Sequence, residues 1–141
     1  MTATARDAEL FALDEATCLT LLRTQPVGRL VLGGDPPDVL PVNFVVVDRS
    51  IVLRTADDGL VAARAGGTVM FEVDMLDDRT RSGWSVLARG VLDDAAEPPA
   101  ELATWAPGAH DRWMVVTIAS VTGRLLRGAV DAPATEPGGY L

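Results

Sequence analysis

From Val27 to Arg127 the chain falls into short runs of Val, Leu, Ile and Thr, each closed by a cluster of Gly, Pro, Asp or Ser. Apolar, β-branched runs suit a pleated surface with a buried face, and the clusters between them supply turn geometry. The expected strands are 27–32, 39–47, 51–55, 68–76, 82–92, 113–120 and 122–127. Turns fall at Gly33-Gly34-Asp35-Pro36-Pro37, Asp48-Arg49-Ser50 and Asp77-Asp78-Arg79-Thr80-Arg81. The short loop at Asp48 makes a hairpin of the strands on either side. So many short strands with few helices predict a mainly β protein, a closed or nearly closed antiparallel barrel.

One helix is expected from Glu15 to about Thr24. Asp14 is a good N-cap, Leu13 and Cys18 have the spacing of a hydrophobic staple, and Pro26 stops the run. Cys18, Leu21 and Leu22 then share its buried face, which makes Cys18 a core thiol. Shorter helices are expected over 57–65, ended by Gly66-Gly67, and over 98–105. The domain reading is a flexible start at 1–9, one barrel domain at 10–128, and a flexible Pro/Gly-rich tail at 129–141. The strand at 39–47 is apolar on both faces, so its outer face needs a cover. A second subunit is the simpler cover and a helix of the same chain the alternative.

With 141 residues the chain fits one domain, and a net charge of −8 disfavours nucleic-acid partners, whose phosphates it would repel. No apolar run reaches the ~18 residues of a membrane span, so no membrane partner is expected. Residues 1–9 lack the pattern of a signal peptide, and the lone cysteine rules out an intrachain disulfide. A cytoplasmic location follows as the expectation. All 12 basic residues are arginine. Any anion site must therefore be built from guanidinium, hydroxyl and backbone N–H groups.

Hydrolytic and metal chemistry find little support. His110 is the sole histidine, it sits in a turn-like segment, and no nucleophile-elbow serine accompanies it. No metal site is expected. Glu72 and Asp74 share one strand face, as an acid/base pair or, more simply, as an exposed polar face. No phosphate-loop or dinucleotide glycine fingerprint is present. Asn43, the only asparagine, interrupts an apolar strand, and its amide must bond either neighbouring backbone or the polar edge of a ligand. Arg54 and Thr55 end a strand, where they can grip phosphate or simply cap the surface. Arg89 and Arg124 carry the same two readings. Trp84 and Ser85 point to opposite faces of their strand.

Taken in order, several segments resemble the small flavin-binding split-barrel proteins related to pyridoxamine 5'-phosphate oxidase, and most of all the nitroimidazole-resistance-like branch. They are the helix with Cys18-Leu19 and Leu21-Leu22, Gly28-Arg29-Leu30, Pro41-Val42-Asn43-Phe44, Arg54-Thr55, Phe71-Glu72-Val73-Asp74, Gly83-Trp84-Ser85-Val86 with Arg89-Gly90, and Thr122-Gly123-Arg124. The resemblance implies a six-stranded split barrel and a homodimer with FMN, or a deazaflavin coenzyme, in clefts at the subunit interface. It places Arg54 and Thr55 at the cofactor phosphate; Arg64, on the helix expected over 57–65, is a further cation of this chain that can assist them. Pro41, Val42 and Asn43 lie along the ring, Trp84 and Ser85 line the cleft, and Arg124 stands near it. Relatives follow the Arg-Thr pair with a lysine-bearing segment, whereas this chain has Asp57-Asp58-Gly59-Leu60. The implied activity is that of an FMN- or deazaflavin-dependent oxidoreductase acting on a small planar substrate. The alternative is a non-catalytic flavin- or tetrapyrrole-binding protein on the same scaffold.

Overall fold

A computed structural model of the chain describes residues 7–129. Strand β1 (Glu9–Leu13) leads into helix α1 (Glu15–Leu22), and then come β2 (Val27–Leu32), β3 (Asp38–Asn43), β4 (Val45–Val47), β5 (Ser50–Thr55), β6 (Thr68–Asp77), β7 (Ser82–Asp94) and β8 (Arg112–Arg127). All eight strands join one antiparallel sheet in the order β3-β2-β6-β7-β8-β5-β4, with β1 added beside β8. The first and last strands of that order are consecutive in the chain, separated only by Phe44. The sheet therefore curls into a half-barrel whose two ends meet through a covalent corner.

Phe44 explains the corner. Its side chain is buried and meets Phe71 edge-to-face, with ring centroids 4.8 Å apart. An inward turn at this residue breaks the single strand expected over 39–47 into β3 and β4. The interior is filled by Leu30, Leu32, Phe71, Val73, Val86, Ala88, Met114 and Val116, all fully buried. They alternate along their strands with outward residues, as the period-2 geometry of a strand requires.

Helix α1 rests on this sheet. The Asp14 side chain accepts the Thr17 N–H at 2.8 Å, completing the expected cap. Cys18 is buried, and burial pushes its thiol pKa up, which keeps it protonated and inert. It packs over Gly123 of β8, where a Cβ would lie 2.7 Å from the sulfur. The glycine is what lets the helix come so close.

Four local expectations need correction. The region 57–65 makes only a single 3-10 turn, Ala62–Arg64: Val61 and Ala62 alone reach the core, while Asp57, Asp58 and Leu60 are exposed, too short an apolar face for a longer helix. Residues 98–105 form no helix and run as an irregular strap. The two final strands are one 16-residue strand, β8, which pairs β7 on one edge and both β5 and β1 on the other. β1 itself has no counterpart in the sequence reading. Its Leu10 and Phe11 remain largely exposed, so it carries no strong burial pattern. Of the expected flexible segments 1–9 and 129–141, residues 1–6 and 130–141 lie outside the described residues, and Glu9 belongs to β1.

Candidate functional site

Three elements converge where the half-barrel closes. The end of β3 brings Pro41, Val42 and Asn43, the end of β5 brings Arg54 and Thr55, and the strap after β7 crosses above them. Together they line a cleft of about 350 Å³, with Val61, Trp105 and His110 among its other walls. Five of the nine residues singled out from the sequence thus meet in one place, from segments more than ten positions apart.

Arg54 occupies the centre of this arrangement. Its Nε donates to the His110 carbonyl at 3.0 Å and its Nη1 to the Leu102 carbonyl at 2.8 Å. The guanidinium carbon stands 4.9 Å from the Trp113 ring centroid, a cation–π distance. Both hydrogen-bond partners are neutral, and none of the ion pairs among the described residues includes Arg54. Its charge is therefore solvated by carbonyl dipoles and an indole face but not neutralised. Nη2 makes no hydrogen bond within the described residues. A half-buried cation of this kind favours an anion.

Asn43 is the second tie. Its Nδ2 donates to the Pro26 carbonyl at 3.2 Å, and its Oδ1 accepts the Trp105 N–H at 2.7 Å. The amide is thus occupied by backbone on both sides. Asn43 and Arg54 together pin the strap at residues 102, 105 and 110. The His110 ring closes the strap on itself, with Nδ1 3.0 Å from the Gly108 carbonyl and 3.4 Å from Thr104 Oγ1. At the foot of the strap Arg112 forms a bidentate pair with Asp94, at 2.6 and 2.9 Å.

The other four residues lie elsewhere. Arg64 donates to the Gly33 carbonyl and sits 3.7 Å from Asp38, holding the β2–β3 turn. Trp84 is half-buried against the core. Ser85 points outward, in register with Asp74 on β6 and Arg124 on β8. None of the four lines the cleft within a single chain.

The outward face of the sheet holds a second charged group. Arg29 Nη1 bridges Glu72 at 3.0 Å and Asp74 at 3.1 Å. Partial burial, and after it the adjacent Asp74 carboxylate, push Glu72 up to about 7 despite the pull of Arg29. Among the described residues no group of three or more His, Cys, Asp or Glu side chains could hold a metal ion. No helix among them is long and apolar enough to cross a membrane.

Trp105 is the functional candidate that the sequence reading passed over. It is 71% exposed, the most open of the large apolar side chains among the described residues. The signal was an aromatic beside Ala106-Pro107-Gly108, a loop composition, and the expectation of a helix over 98–105 concealed it.

Comparison with known proteins places this geometry in a family. The family model described as pyridoxamine 5'-phosphate oxidase matches residues 14–125, which include α1, the cleft strands and nearly all of β8. A structure of an FAD-binding protein from Mycobacterium smegmatis superposes with a TM-score of 0.67 at 31% identity, covering 83% of this chain and 98% of that one. An FAD-binding protein from Mesorhizobium loti shares the fold, with a TM-score of 0.67 at 21% identity over 84% of this chain and 98% of its own. A protein of Mycobacterium tuberculosis, Rv0080, is 35% identical over 97 residues, and the match spans 64% of either chain. Since the matched span contains the barrel corner, both cleft strands and the strap, the chain belongs to the pyridoxamine 5'-phosphate oxidase family.

Proposed function

We propose that this protein binds a flavin nucleotide in the cleft beside Arg54 and works as a flavin-dependent oxidoreductase on a small planar substrate. The observation that carries the reading is the unneutralised, half-buried guanidinium of Arg54 beside the Thr55 hydroxyl, at the end of a groove walled by Pro41, Val42 and Asn43. An anionic group at one end and a flat apolar body along the strand match these walls. Thr55 Oγ1 and Arg54 Nη2 would hold phosphate oxygens, and the β3 backbone would run along the ring. A bound flavin supplies hydride or electron transfer, so no side-chain nucleophile is required.

FAD fits better here than FMN, the form implied by the sequence resemblance. Two of the donor groups of Arg54 are already engaged, no lysine is available, and Asp57 and Asp58 stand exposed two residues beyond Thr55. FAD spreads its two negative charges over two phosphates, so a single guanidinium meets a lower charge density than at the terminal dianionic monoester of FMN. The FAD-binding proteins among the similar structures agree with this preference.

We further propose a homodimer formed through the outward face of β2, β3 and β6. Val39 is 56% exposed there and Met70 is 36% exposed, around the Arg29–Glu72–Asp74 cluster. Ser85 and Arg124 share that side of the sheet, so a second copy would bring them towards a cleft that they do not reach in one chain.

The test is optical. Purified protein is titrated with FAD, FMN, riboflavin and a deazaflavin coenzyme, and bound flavin is challenged with a reduced nicotinamide and a reduced deazaflavin. Saturable binding with bleaching supports the enzyme. Binding without bleaching supports a non-catalytic carrier, the reading favoured by the carboxylates at Asp57 and Asp58. No binding of any of the four removes both.

A further inference from the structure

A second and larger cleft, of about 560 Å³, adjoins the first. The two share Asn43 and Trp105, which are hydrogen-bonded to each other. The walls of the second cleft are mixed: Val45, Val46, Ala103 and Trp105 give apolar surface, and Arg23, Thr24, Gln25, Asn43 and Glu101 give polar surface. Its charge differs from that of the first. Arg23 and Glu101, both at its margin, are of opposite sign, and Arg23 already donates to the carbonyls of Leu19 and Asp48 at 3.3 and 3.2 Å. With Arg23 and Glu101 in balance the cleft has no net sign among its lining residues, which favours a neutral occupant.

Two further features give that occupant a shape. Trp105 is tied at its backbone N–H by Asn43 and leaves its indole exposed, a flat face on which an aromatic ring can stack. Phe44, which also borders the cleft, is buried and packed edge-to-face on Phe71. Gln25, also at the margin, uses only its Nε2, towards Thr24 and Met75, and its Oε1 accepts no hydrogen bond within the described residues. That oxygen can accept from a donor on the ligand's edge in place of water.

We propose that this cleft is a binding subsite for a neutral aromatic molecule of one or two fused rings with an edge N–H or O–H, stacked on Trp105 and bonded to Gln25. Its identification as the place of the substrate rests on the flavin reading, whereas the binding itself does not.

The probe is 2-naphthol, added to the full-length protein and followed by calorimetry and ligand-observed NMR, with a parallel titration of FAD. One saturable site per chain is expected. Trp105→Ala should weaken it about tenfold or more, while Trp105→Phe should keep it within about threefold. Ala103→Trp, at an exposed position, should fill the cleft and block binding without unfolding the chain. The proposal is overturned if 2-naphthol does not bind saturably, or binds Trp105→Ala as it binds the parent. It is equally overturned if the loss in Trp105→Ala tracks a change in sedimentation, since a second copy of the chain would then be what covers the indole. A chain that binds 2-naphthol through Trp105 but ignores FAD, FMN, riboflavin and the deazaflavin alike keeps the subsite and loses the flavin reading; the reverse result loses the subsite alone.

Discussion

The Nε of Arg54 donates to the carbonyl of His110 across 3.0 Å, tying the end of β5 to the end of the strap. The bond joins a charged donor to a neutral acceptor. It orders the strap and orients the guanidinium while leaving the positive charge available to an anion. Scaffold and ligand contact are thus combined in one side chain.

Replacing Arg54 by alanine should separate the two phosphate states of the cofactor. Affinity for FAD and FMN should fall about 10- to 100-fold, the worth of one or two charge-assisted hydrogen bonds, while riboflavin, which has no phosphate, should lose far less. Flavin fluorescence titrations read the difference directly. Equal losses for all three would mean that Arg54 acts only on the strap.

Asn43→Ala should loosen the strap without touching the barrel. It leaves the Trp105 N–H and the Pro26 carbonyl without their side-chain partner, at a cost of about 1 kcal/mol. Amide hydrogen exchange should quicken across residues 102–110, while β6 and β7 keep their protection. An unchanged exchange pattern would show that Asn43 is not a latch.

Stability should respond to pH at Glu72. Its folded pKa of about 7 lies above the ordinary 4.5, so the folded chain holds this proton more tightly than the unfolded chain does. The cost of ionising Glu72 is absent below about pH 4.5, grows through the interval and is complete above about pH 7. Glu72→Gln should therefore stabilise the protein at pH ~8 by about 1 kcal/mol, after allowing for screening of a site still open to water, or roughly 3 °C in Tm. The gain should vanish at about pH 4. Thermal melts of both proteins across that range check it, and a gain independent of pH would count against the assignment.

Gly123→Ala should displace α1. The new methyl would lie 2.7 Å from the Cys18 sulfur and 3.0 Å from the Ser85 carbonyl, an overpacking worth about 1–3 kcal/mol in urea unfolding. Adding Cys18→Ala should recover part of the loss, because it removes the atom in the closest clash. Strict additivity of the two substitutions would show that they do not meet.

The proposed dimer predicts that Val39→Glu combined with Met70→Glu yields a folded monomer, since both side chains lie exposed on the outward face. Analytical ultracentrifugation of the parent and the variant decides it. A parent that sediments as a monomer removes the dimer from this reading.

Much of the architecture was legible from local chemistry. The Asp14 cap, the turn clusters after Leu32, Val47 and Leu76, and the alternation along β6 and β7 are short-range patterns, and the structure keeps them. Helices expected over 57–65 and 98–105 did not form, because composition alone does not reveal whether a segment has an apolar face to bury. The corner at Phe44 was hidden for a related reason. A run of apolar residues has the same appearance whether it continues straight or turns inward to meet Phe71.

The sequence by itself determined which residues cluster at strand ends and which arginine and hydroxyl stand together. Tertiary structure alone decided that Arg54 and Asn43 hold a strap drawn from residues 102 to 110, and that Trp105 is left bare between two clefts. The reason is physical. Each of these ties ends on a backbone group, a C=O or N–H of a kind that nearly every residue carries, so the identity of the distant partner leaves no mark on the chain. Only closure of the barrel brings the segments within hydrogen-bonding reach.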